Sequence, residues 1–509
     1  MFSKITSCAV YGVSGTLIQV EADVNDGLPM FTMVGYLSSS VKEAGERVRT
    51  ALKNSGYSVP SKRITVNLSP ANIRKDGAGF DLPVAVAVLL ASFVTPAIDL
   101  NNFTIMGELS LDGTIKPIKG VLPMVSYCYD CGIKNCIVPI DNAKEAALVK
   151  GMQVYGARNL SEVMSFIQGD NVISKVEGGH ESFDRKVGNI NDFADIKGQE
   201  SLKRGLEIAA SGFHNVLMTG AAGAGKSMLA RCIPGIMPSL SFEECLEITK
   251  IYSVSGMLYN EGSLIENRPF RSPHHTISEH ALIGGGAIPR PGEVSLAHNG
   301  VLFLDELPEF SKVVLEVLRQ PIEDRCVTIS RVHATYVYPS DFMMVAAMNP
   351  CPCGHYPDLK KCSCTPLQIK RYQSRISGPL MDRIDINMEV KPVPYDELFS
   401  KRRAESSDQI RERVERARCI QEKRYKNENI HFNSQLDGKL IKKYISLDDS
   451  REELLSKTFK DNELSARGVH RVIKLARTIA DMDGKNDIED IHIMEALFYK
   501  NGGVDVYDR

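Results

Sequence analysis

The chain has 509 residues, 43% of them hydrophobic and 24% charged, a soluble-globular balance that excludes collagen-like, coiled-coil and disordered chains. At about 150 residues per domain, this length predicts three domains or so. Lys plus Arg number 61 against 63 Asp plus Glu, a net charge of −2, so any nucleic-acid contact has to come from a local basic ring or patch. The longest apolar run, Leu82 to Val94, is too short to cross a bilayer. The N-terminal residues lack the charged-then-apolar order of a signal peptide. A cytoplasmic protein without a membrane partner is expected.

In chain order, residues 1–168 alternate strand-like stretches (Thr16–Val24, Arg63–Leu68, Thr104–Glu108) with helical ones, Ser39–Ser55 and Leu82–Ser92. Residues 169–191 are polar, Gly-rich and aperiodic, and read as a linker. Residues 192–391 form a βαβ-type segment with the nucleotide signals, and 392–509 turn helical and highly charged, as in Ser407–Lys426.

The strongest signal is a P-loop. The apolar run Val216–Thr219 leads into Gly220, Ala221, Ala222, Gly223, Ala224, Gly225, Lys226 and Ser227, followed by helix formers, which is the strand–loop–helix context the motif requires. Inward-turned backbone N–H groups and the helix N-terminus would hold the phosphates of ATP. Lys226 would reach the β- and γ-phosphates, and Ser227 would ligate Mg²⁺. A second apolar strand, Val301–Leu304, ends in Asp305 and Glu306. There Asp305 suits Mg²⁺ and Glu306 suits polarising the attacking water. A third, Phe342–Met348, ends in Asn349, a neutral group able to orient that water.

Of twelve cysteines, Cys351, Cys353, Cys362 and Cys364 crowd together directly after Asn349. Two Cys-x-Cys pairs can close a tetrahedron around structural Zn²⁺, with His355 as a substitute ligand; the bland reading is a loop of reduced thiols. The stretch Ile322–Val332 reads as two short strands around a turn, carrying Arg325 and Arg331, and Gly284–Gly292 is a flexible Gly/Pro loop carrying Arg290.

The stretches FADIKGQESLKRGLEIAASGFHNVLMTG, FRSPHHTISEHALIGGGAIPRPGEVSLAHNGVLFLDELPEF, VAAMNPCPCG and RYQSRISGPLMDRIDINMEV resemble the magnesium-chelatase-like AAA+ ATPases of the YifB/ComM family. The resemblance implies an α/β multidomain chain: a Lon-protease-like N-terminal α+β domain, a central AAA+ P-loop domain and a C-terminal helical lid. It further implies a ring, usually a hexamer, with ATP between subunits. By this similarity Lys226, Asp305, Glu306 and Asn349 stand at Walker A, Walker B and sensor 1. Arg383 matches the arginine finger, with Arg371 and Arg375 as competitors, and Arg467 matches sensor 2.

Residues 1–168 resemble the proteolytic domain of Lon-type proteases, also found in the RadA recombination protein. The Ser and Lys positions of the protease dyad align on Gly79 and Leu122, with Ser69 and Lys119 out of register, so a non-proteolytic scaffold is expected. In the related minichromosome-maintenance helicases the insert corresponding to 322–332 is a pore hairpin with a basic residue. Here Arg331 would take that place, with Arg325 and Arg290 nearby, contacting a DNA backbone. The leading expectation is an ATP-driven hexameric DNA translocase or helicase that promotes branch migration in recombination or uptake. A chelatase-type motor acting on a protein partner and a nucleotide-gated DNA-repair scaffold are the alternatives.

Overall fold

The computed structural model describes residues 1–170, 172–176, 191–258, 263–286, 289–331, 334–358, 360–391, 404–461 and 465–502. Alternation in the first two strands builds the N-terminal unit. Phe2–Tyr11 and Ser14–Asn25 pair antiparallel from Phe2↔Asp23 to Tyr11↔Ser14, with Gly12 at φ 65° in the turn, a conformation glycine adopts without a Cβ clash. They sit inside an eight-stranded sheet ordered Lys175–Val176, Gln153–Ala157, Asn135–Pro139, Phe103–Ile105, Phe2–Tyr11, Ser14–Asn25, Arg63–Ser69, Met30–Val34. Ile5 and Ala9 meet the buried helix Asp81–Ser92 on one face. Cys8 meets helix Val121–Asp130 on the other. The period of two in a strand thus becomes two separate cores.

Four local expectations change. The stretch 322–332 holds the end of a helix, Arg319–Asp324, and, among its described residues, only one strand, Cys326–Arg331, whose partner Ala334–Pro339 lies beyond it. The stretch 104–108 is two strands, Phe103–Ile105 and Glu108–Leu109, because the Gly107 N–H leaves the sheet for the Gly79 carbonyl. The helical stretch 39–55 is interrupted at Glu43, giving Ser39–Lys42 and Ala44–Asn54. The start of the expected linker is structured: Lys175–Val176 forms the sheet's edge strand, antiparallel to Gln153–Ala157. Residues 171 and 177–190 of it lie outside the described residues.

The second sheet is wholly parallel, in the order Phe270–Arg271, Val301–Leu304, Met343–Met348, Val216–Gly220, Ile386–Val390. Its central strands are buried and apolar throughout, as a sheet covered on both faces requires. The C-terminal helices Ser407–Arg424, Ala466–Met482 and Asp490–Lys500 share one core with this sheet: Ile410, Val414, Val472 and Leu475 pack with Val216, Met218 and Ile386. On the other face, Leu217, Leu302 and Met344 pack with the base of a hairpin, Cys326–Arg331 paired with Ala334–Pro339. Helix Val121–Asp130 of the N-terminal unit rests on helix Phe242–Ser255. At that contact Glu145 accepts hydrogen bonds from the Leu122 N–H and the Ser253 hydroxyl. No helix among the described residues is long and apolar enough to cross a membrane.

Candidate functional site

The loop Gly220–Ser227 leaves the C-terminal end of the strand Val216–Gly220 and opens the helix Lys226–Ile236. Ligand-binding loops gather at such strand ends in parallel sheets. Gly223 and Gly225 stand at φ 78° and 91°, so successive N–H groups can turn the same way. Gly220 is required by space: a Cβ there would lie 2.4 Å from the Val390 carbonyl oxygen. Lys226 is buried, its ammonium donating to the Gly220 and Ala221 carbonyls at 2.6 and 2.9 Å and to Asn349 Oδ1 at 3.1 Å. Burial lowers its pKa, offset in part by Asp305 and Glu306. A buried cation facing carbonyl dipoles is suited to an anion, and polyphosphate fits that cradle.

Ser227 Oγ donates to Asp305 Oδ2 at 2.7 Å. A hydroxyl and a carboxylate in contact beside a phosphate cradle are the donor set of a divalent magnesium ion. Glu306 follows with φ 53° and a half-exposed carboxylate 3.4 Å from His275 Nδ1. Nothing in the sequence singles out His275. The adjacent histidines of the SPHHT stretch carry no spacing rule, although the rings of His274 and His275 lie 4.1 Å apart, tilted by 34°. A cavity of about 770 Å³ adjoins this loop, bounded by Gly220, Ala221, Tyr356 and Val390.

The two candidate arginines lie together and apart from Lys226. Arg383 is buried, and its guanidinium is 2.7 Å from Glu323, which Arg467 also approaches at 3.6 Å. Arg383 Nε has no hydrogen-bond partner among the described residues. Of the competitors, Arg375 pairs with Glu309 at 2.9 Å, and Arg371 is exposed on the helix Pro366–Gln373.

The four clustered cysteines converge. The Sγ atoms of Cys351 and Cys353 are 3.4 Å apart, those of Cys351 and Cys362 3.8 Å, and those of Cys353 and Cys362 3.6 Å. With Cys364 all four lie within 4.8 Å of one another, the one such group among the described residues; His355 is not part of it. A tetrahedral ion with Zn–S near 2.3 Å sets its sulfurs about 3.8 Å apart, so the donor set fits zinc. The Cys353 thiol is lowered to about 6, first by the His355 backbone N–H. Gly354, at φ 79°, brings this loop over the P-loop, where a Cβ would stand 3.6 Å from Ala222.

Arg331 is exposed at the end of its strand and donates to the Gly286 carbonyl at 3.1 Å. The loop carrying Arg290 therefore lies beside the hairpin; its residues 287–288, like hairpin residues 332–333, lie outside the described residues. Arg325 is at the hairpin's base, half-buried and 3.9 Å from Asp341, away from the end that carries Arg331. In the N-terminal unit Leu122 is fully buried, whereas Gly79 and Lys119 line one cleft without a serine.

Three family models match the chain: "Magnesium chelatase, subunit ChlI" over residues 192–398, "Subunit ChlI of Mg-chelatase" over 20–142, and "Magnesium chelatase, subunit ChlI C-terminal" over 404–500. The YifB protein of Escherichia coli (strain K12) is 43% identical over 503 residues, 98% of this chain and 97% of that one. The competence protein ComM of Haemophilus influenzae is 42% identical over 503 residues, 97% of each chain. A shorter similarity, 29% over 182 residues and 32% of each chain, is to Lon protease 2 of Bacillus subtilis.

Proposed function

Because the chain belongs to the YifB/ComM family of magnesium-chelatase-like AAA+ ATPases, we propose that it is a ring-forming ATP hydrolase that translocates DNA and drives branch migration in recombination or uptake. The observation that carries this reading is the convergence of Lys226, Ser227, Asp305 and Asn349 on one cradle, in the same unit as a hairpin bearing an exposed Arg331. One full-length relative is a competence protein, which fits a DNA substrate better than a metal-inserting partner.

Bound ATP with Mg²⁺ supplies the phosphoryl group and the charge that activates it. Lys226 neutralises phosphate oxygens, while Ser227 and Asp305 hold the ion. Glu306 takes the proton of the attacking water, and Asn349 orients that water. His275, in contact with Glu306, positions its carboxylate. Arg383 and Arg467 serve the nucleotide of the neighbouring subunit, with hydrolysis depending on assembly into a ring, a hexamer in this reading. In the separate chain Glu323 stands where phosphate oxygens would meet them. The four cysteines hold a structural zinc that braces the segment after Asn349 against the P-loop. Arg331 and Arg290 meet the DNA backbone; Arg325 supports the hairpin from its base.

The test is ATP turnover with and without single-stranded, duplex and forked DNA. DNA-stimulated turnover supports the translocase. Turnover indifferent to every DNA would favour a motor for a protein partner.

A further inference from the structure

The hairpin does not project freely from its domain. Tyr336 on its second strand stacks on Tyr11 of the N-terminal unit, ring centroids 4.8 Å apart and planes 26° from parallel. A Cβ at Gly12 would lie 3.0 Å from the Val337 carbonyl oxygen. Behind this contact lies a cleft of about 750 Å³ between the two units, within the range of roughly 300–1,000 Å³ that holds an organic ligand. Its N-terminal wall is the loop that carries a protease's nucleophile in the Lon resemblance, here Gly77, Ala78 and Gly79, with no serine in the lining.

The lining charge is lopsided. Arg74, Lys119, Arg290 and Arg331 face the carboxylates of Asp76 and Glu108. Arg74 stands 3.6 Å from Asp76. Lys119 and Arg290 are exposed, and neither makes a side-chain hydrogen bond or ion pair among the described residues. Cations with no acid to satisfy them, set beside aromatic rings, are the two components of a single-strand site: backbone phosphates meet the charges and an unpaired base meets a ring. A peptide backbone, which a protease cleft binds, is neutral and supplies no charge to answer the excess.

We propose that this cleft is a second binding site, one that seats a phosphate-linked, unpaired nucleotide strand between the N-terminal unit and the hairpin. Lys119 and Arg74 contact phosphate, and the Tyr11–Tyr336 pair stacks a base. The proposal rests on the DNA reading above and adds to it a path for the strand over the degenerate protease face. A strand seated here touches hairpin and N-terminal unit at once.

The probe is a fluorescein-labelled oligo-dT, titrated against the full chain and against a Lys119→Glu, Arg74→Glu double variant. Both side chains lie on the surface, outside the ATP site, so folding and basal ATP turnover are expected to persist. Affinity should fall tenfold or more. The slope of log affinity against log salt should shrink by about 0.7 for each phosphate that the variant no longer neutralises. A 5-bromodeoxyuridine strand should photo-crosslink to Tyr11 or Tyr336, and free mononucleotide should not compete. Unchanged affinity and salt slope in the variant overturn the cleft path while leaving the translocase reading in place, provided that Arg331→Ala weakens binding. Competition by free mononucleotide would make this a small-nucleotide site and also overturn it. A wild-type chain that binds no DNA fails both readings.

Discussion

Arg383 is the residue at which a local motif and its three-dimensional setting say different things. The family resemblance proposes it for a neighbour's phosphate, and in the chain it is buried and paired with Glu323. An arginine supplied in trans is worth roughly 10³–10⁵ in rate. Arg383→Ala should therefore bind ATP normally and lose at least about 10³-fold in turnover. Mixing that protein with Lys226→Ala protein should restore part of the rate, because mixed rings contain interfaces with both groups intact. Normal hydrolysis by Arg383→Ala alone would remove the finger assignment. Glu306→Gln should likewise retain nucleotide and stop turnover, as nucleotide-binding and phosphate-release assays on one preparation would register. The P-loop was legible because its whole meaning lies within Gly220–Ser227. The capture of Arg383 by Glu323, and the contact of His275 with Glu306, join residues tens of positions apart and leave no period to read.

Between elements, the chemistry rests on two braces. One is the cysteine loop over the P-loop. About one zinc per chain is expected from elemental analysis of protein purified without added metal, and a content near zero with four freely titrating thiols would refute the site. Chelation should slow ATP turnover before it unfolds the chain, since Gly354 lies against Ala222 and Cys351 is two residues from Asn349.

The other brace is Asp385, at the foot of the strand Ile386–Val390. Arg471, on the helix Ala466–Met482, lies 2.6 Å from it, the Asn215 N–H donates at 3.0 Å, and His214 is 3.5 Å away. Burial alone would raise this carboxyl, but Arg471, His214 and the Asn215 N–H hold it well below the ordinary 3.8. A depressed carboxyl contributes stability that is complete above the unfolded value and is lost as pH falls toward the folded one. Asp385→Asn leaves Arg471 without its carboxylate partner and should cost about 3–5 kcal/mol. Urea unfolding at neutral pH checks that, and the variant should lose stability less steeply than wild type below pH about 4. Neither this strand, which carries no motif of its own, nor its tie to a helix 86 residues later could be read from local sequence.

Across the whole molecule, the division into an N-terminal unit, a parallel-sheet core and helices could be read from alternation, the P-loop and the charged helical tail. The joins could not. The C-terminal helices share one apolar core with the parallel sheet, since apolar side chains carry no record of which neighbour they meet. The hairpin's dock on Tyr11 spans most of the first two units. In the proposed function, ATP turnover moves DNA through contacts that include Arg331. Phosphate contacts position a strand without reading its sequence, so Arg331→Ala should weaken binding equally across sequences while basal ATP turnover persists. The most direct measurement is strand displacement on a forked or four-way branched substrate by wild type and Arg331→Ala, each with its basal ATPase rate determined in parallel. Wild type should displace strands in an ATP-dependent manner, and the variant should lose displacement at unchanged basal turnover. Equal displacement by both proteins, or none by wild type on any DNA, would contradict the proposed function.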